Sequence, residues 1–127
     1  MNVFSIEELM QQLPVTEVSA SIDEATAMRC MQVLGSLNGS AMGLVSFSGQ
    51  TGWECHPGGD ELLYYLEGEA ELCLITEDGD VRRTVKKGDV AQIPAGLWHS
   101  QRTLAPVRLF FITPVAGMKN ASERPVA

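Results

Sequence analysis

Apolar residues along this chain fall mainly in short runs separated by turn formers, the pattern of many short strands rather than a few long helices. One helix is expected near the start. Ser5-Ile6-Glu7-Glu8 has the capping-box spacing, in which a serine hydroxyl and a glutamate carboxylate each satisfy an orphan amide. A helix over about 6–12 follows, ending before Pro14 because proline disfavours helical geometry in the residue before it. Strands are then expected around 15–20, 29–34 and 42–48, with a turn at Leu37-Asn38-Gly39-Ser40. For Ile22–Leu34 a helix carrying Ala25, Met28, Arg29 and Gln32 is an open alternative.

Beyond Gly49 the alternation sharpens. Leu62–Leu66 and Glu69–Ile75 flank Glu67-Gly68, and Val81–Val85 and Val90–Ile93 flank Lys86-Lys87-Gly88-Asp89, both read as turns. A further turn is expected at Glu77-Asp78-Gly79-Asp80. Val107–Thr113 is nearly continuous in apolar residues, as in a strand covered on both faces. Strands at this spacing predict an all-β sandwich or barrel. From Gly117 to Ala127 the periodicity is lost, and this stretch reads as a tail that is loose or packed irregularly at the surface. If Glu61, Leu63 and Tyr65 point inward, Leu62, Tyr64 and Leu66 point outward and call for a second sheet or a second subunit, so a homodimer is expected.

At 127 residues the chain fits one domain, with 5–36 carrying the first helix and strands, about 42–114 the core and 115–127 the tail. A net charge of −7 opposes binding to phosphate backbones, and the cations Arg82, Arg83, Lys86 and Lys87 read as a solvated hairpin, so nucleic acid is not expected as a partner. Cys30, Cys55 and Cys73 form no C-x-x-C pair and suit reduced thiols packed in strands. With no export-like N-terminus and no long apolar window, a cytoplasmic protein without a membrane partner is expected.

The chemistry concentrates around two histidines. One lies in Trp53-Glu54-Cys55-His56-Pro57-Gly58-Gly59-Asp60-Glu61, the other in Pro94-Ala95-Gly96-Leu97-Trp98-His99. Alternate residues of a strand share a face, so Glu54 and His56 project together. Glu61 shares parity with Leu63 and Tyr65, and a buried carboxylate calls for a partner such as a cation. Imidazole and carboxylate donors together suit first-row metals. Tyr65 and Gln101, in parity with Glu61 and His99, are candidate substrate-pocket groups. Trp53 and Trp98 either line a pocket mouth or pack outward. Gly58-Gly59 reads as a turn that lets His56 and Glu61 converge.

These residues resemble the two motifs of the cupin superfamily, G-x5-H-x-H-x3,4-E-x6-G and G-x5-P-x-G-x2-H-x3-N. Here the first reads E-C-H-P-G-G-D-E-L-L-Y-Y-L-E-G from Glu54 to Gly68, and the second G-D-V-A-Q-I-P-A-G-L-W-H from Gly88 to His99. Three positions depart: Glu54 replaces a histidine, Thr103 replaces the closing asparagine, and Gly49 stands one residue too close to serve as the leading glycine. The resemblance implies a small single-domain bacterial cupin, an all-β double-stranded β-helix (jelly-roll barrel) with one short N-terminal helix. It also implies a divalent metal (Mn, Fe, Ni or Zn) on Glu54, His56, Glu61 and His99.

Two functions are compatible with this reading. One is a metal-dependent enzyme (dioxygenase, isomerase or lyase) acting on a small oxygen-rich molecule, with Glu54 or Glu61 as catalytic base. The other is a non-catalytic module that binds or senses a small molecule or a metal. No G-x-S-x-G elbow is present, which sets aside hydrolysis by a serine triad.

Overall fold

The computed structural model describes residues 1–21 and 24–126. Helix α1 (Ile6–Gln12) begins where the capping box predicts, with the Glu8 amide donating to the Ser5 side chain. Strands β1 (Thr16–Val18), β2 (Met31–Leu37) and β3 (Ser40–Gly49) follow, with a second short helix, α2 (Glu24–Arg29), between β1 and β2. The Ile22–Leu34 segment, where strand and helix both stood open, is therefore divided: helix as far as Arg29, strand from Met31, with Ile22 and Asp23 outside the described residues. The remaining strands are β4 (Trp53–Cys55), β5 (Glu61–Thr76), β6 (Gly79–Lys86), β7 (Val90–Ile93), β8 (His99–Pro114) and β9 (Lys119–Ala121).

The two long strands β5 and β8 organise the barrel. They pair antiparallel along most of their length. Their halves have different neighbours: the first half of β5 also pairs β7 while its second half pairs β6, and the C-terminal half of β8 pairs β3 while its start meets β4. The result is the curled, two-layered jelly roll expected from the sequence.

One feature read as a turn is something else. Glu67-Gly68 lies inside β5, where the register against β8 shifts repeatedly between Tyr65 and Ala70. Five steps along β5, from Tyr65 to Ala70, face six along β8, from Leu109 to Thr103. An irregularity of this kind inverts side-chain parity. Glu61, Leu63 and Tyr65 are buried at odd positions before it, whereas Ala70 and Leu72 join the same core at even positions after it. In β8, Val107, Leu109 and Phe111 are buried in core positions and the odd parity continues back to His99. Gly68 makes the bend possible: its φ is +90°, and a Cβ there would lie 2.1 Å from the Pro106 carbonyl oxygen.

A smaller cluster lies outside the barrel, where Met10 and Leu13 of the α1 region cover Leu44, with Ile6, Leu9, Leu34, Leu66 and Phe110 packed around it. Arg108 donates to the carbonyls of Met10 and Leu13 and thereby caps the end of α1. Helix α1 is thus the cover over outward-facing Leu66, while Tyr64 remains 40 % exposed. The expected loose tail contains β9, which pairs β4 through Trp53↔Ala121, Glu54↔Asn120 and Cys55↔Lys119. Its three residues carry no apolar alternation, so periodicity could not reveal it.

Candidate metal centre

Four side chains meet inside the barrel. Glu54 pairs directly with His99 across β4 and β8, so the two project to one face. His56 follows the end of β4, and Glu61 opens β5. The loop of the second motif ties these segments together: the Gly96 amide donates to the His56 carbonyl at 3.0 Å, and Asp60 accepts from the Ala95 amide at 2.8 Å and from the Gln92 side chain at 2.9 Å.

His56 Nε2 stands 3.3 Å from Glu54 Oε2 and 3.3 Å from Glu61 Oε2, and His99 Nε2 stands 3.2 Å from Glu61 Oε1. One donor atom from each of the four residues lies within 4.8 Å of all the others. His56, Glu61 and His99 are buried, whereas the Glu54 side chain is 44 % exposed. Nε2 of both histidines and Nδ1 of His56 are buried, and none of these nitrogens makes a hydrogen bond of normal geometry despite the close ion-pair contacts. Buried nitrogens aimed at carboxylates without bonding to them are what donors converging on a common cation leave behind. His99 Nδ1 lies 3.1 Å from the Leu97 carbonyl. Since a carbonyl only accepts, this contact places the proton on Nδ1 and leaves the Nε2 lone pair for the centre. Thr113 donates to Glu61 Oε2 at 2.6 Å, which orients that carboxylate. The residues therefore fit a divalent metal ion by donor chemistry and by orientation.

The electrostatics agree. Burial works to depress the His56 pKa, but the facing carboxylates of Glu54 and Glu61 raise it to about 9. Burial works to raise the Glu61 pKa, yet His56, His99 and Thr113 hold it at about 2. His99 is likewise raised by Glu61 against the effect of burial. Without a metal, the centre holds a proton on His56 at neutral pH in the cation's place.

Over the centre lies a cavity of about 360 Å³ reaching the surface. Gln101 lines it, whereas Tyr65 is fully buried and its hydroxyl donates to Gln101 Oε1 at 2.6 Å. Trp53 lines a separate depression of about 220 Å³ with Cys73, Arg82 and Arg102. Sequence reasoning missed Thr113, although its parity with Leu109 and Phe111 was a usable signal. It also missed the cavity wall, which exists only once the barrel closes.

The cupin domain family model matches residues 44–113, more than half of the chain, and the chain belongs to that family. The sequence matches no curated protein. Among solved structures, it is similar to a protein from Neisseria meningitidis (19% identity, TM-score 0.66, covering 88% of this chain and 98% of that one). It is also similar to a cupin-2 domain containing protein from Shewanella frigidimarina (20% identity, TM-score 0.56, 76% and 96%). A third similar structure is hydroquinone 1,2-dioxygenase from a Sphingomonas species with 4-hydroxybenzoate bound (16% identity, TM-score 0.55, 73% and 67%). At these identities the likeness establishes the fold.

Proposed function

We propose that Glu54, His56, Glu61 and His99 hold a divalent first-row ion (Mn, Fe, Ni or Zn), and that the protein is a metal-dependent cupin enzyme acting on a small molecule admitted through the cavity. The observation that carries this reading is the convergence of four donor atoms within 4.8 Å, with both Nε2 atoms buried and unbonded. Bound there, such an ion would supply Lewis-acid polarisation of a ligand oxygen or activation of water or dioxygen.

The two carboxylates divide the remaining work. Glu61, flanked by two histidines and bonded to Thr113, is a fixed ligand. Glu54 is the more exposed and the one free to accept a proton from a molecule in the cavity, which makes it the candidate base. Gln101, backed by Tyr65, is the candidate orienting group. Three buried, unpaired cysteines fit a reducing, cytoplasmic setting. Exposed Tyr64 and its cross-strand neighbour Val90 offer a patch for a second copy of the chain.

Elemental analysis of untagged protein purified without chelator tests the reading. About one equivalent of metal per chain is expected, falling to near zero in His99→Ala. A wild-type chain that neither retains metal nor takes it up on titration would remove the proposal.

A further inference from the structure

The walls of the cavity restrict what it can admit. Beyond the four metal-site residues it is lined by Met31, Val45, Phe47, Leu63, Leu109 and Phe111, and no lysine or arginine lines it among the described residues. Its mouth is apolar as well, where Met28, Val33, Val115 and Met118 are each more than 40 % exposed. Large apolar side chains left in water around an opening are an attractive surface for an apolar molecule.

Charge narrows the class further. Glu54 and Glu61 bring two negative charges, which one divalent ion balances. An anionic ligand, even one bound to the ion, would leave the centre with a net negative charge in a largely apolar cavity that has no basic side chain in its lining to offset it, which is costly. The uncharged polar groups of the lining offer hydrogen bonds instead. The Tyr65 hydroxyl occupies Gln101 Oε1, so the hydrogens on Gln101 Nε2 remain for a ligand acceptor.

We infer that the ligand of this site is a neutral, largely apolar molecule of one or two rings' size, carrying an acceptor oxygen at the end nearest the metal, and that small di- and monocarboxylates are excluded. This rests on the metal-site reading and departs from the oxygen-rich molecule expected from the sequence, placing oxygen at one end only.

A pair of ligands alike in shape and different in charge tests it. 2-Naphthamide and 2-naphthoate are titrated at neutral pH into protein whose metal content has been measured. The amide is expected to bind at least about tenfold more tightly. Val33→Trp, which places a ring at the exposed cavity mouth, is expected to weaken amide binding at least about tenfold while metal content is unchanged. Equal or tighter binding of the naphthoate, or binding of neither compound by metal-loaded protein, would overturn the inference and leave the metal site standing. Amide binding by a chain that takes up no metal would instead remove the metal reading and leave the ligand class supported.

Discussion

The hydroxyl of Thr113 donates a 2.6 Å hydrogen bond to Glu61 Oε2, the same oxygen that faces His56 Nε2. Partners of this kind fix a ligand's orientation, and removing one typically costs about 10–100-fold in metal affinity. Thr113→Val keeps the shape and deletes the bond. Competition against a chromogenic chelator should show metal affinity weakened by about tenfold or more, with the circular dichroism of the barrel unchanged.

The pH dependence of the metal-free protein follows from the same charges. His56 titrates near 9 in the folded chain against 6.5 when unperturbed, so its contribution to stability is complete below 6.5 and disappears as pH rises through 9. Glu61 runs the other way: its contribution is present above 4.5 and is lost as pH falls through 2. Thermal melts in chelator should be most stable between those windows, at about pH 4.5–6.5, and should lose on the order of 2–3 kcal/mol by about pH 9.5. Metal uptake should strengthen over the alkaline range, because the ion displaces the histidine protons. A flat stability profile from pH 6 to 10 would contradict the proximity of His56 to the two carboxylates.

Gly68→Ala places a Cβ against the Pro106 carbonyl at a residue whose φ is +90°. A destabilisation of about 2 kcal/mol or more is expected, read as a lower urea midpoint. If the midpoint is unchanged, the irregularity in β5 does not depend on this glycine.

Arg108→Met keeps much of the side-chain bulk but removes the donors that hold the end of α1, so buried carbonyls of Met10 and Leu13 lose a charged partner. A cost of about 1.5–3 kcal/mol is expected, with early loss of amide protection confined to residues 6–13. Metal content should not change, since α1 packs on the outer face.

Much of the centre was legible in the sequence because its geometry is local. Period-two alternation joins Glu54 to His56, and the spacing of Gly88, Pro94, Gly96 and His99 encodes the loop that binds the His56 carbonyl. What escaped depended on the closed sheet. The bend at Gly68 has the composition of a turn, and only pairing with β8 shows that the strand continues through it. Two departures from the family pattern, Gly49 and Thr103, lie 54 residues apart and meet in space, where the Gly49 amide donates to the Thr103 hydroxyl at 2.8 Å. Neither residue alone predicts that contact.

Strand β8 carries a longer-range consequence. His99 at its first residue and Thr113 near its last both touch Glu61, although the fourteen steps between them would span roughly 46 Å if drawn out straight. The strand is curled by its pairing with β3 and β5 until both of its ends meet one carboxylate. Emptying the centre should therefore speed amide exchange at the two opposite ends of β8 together, while its ladder-held middle stays protected.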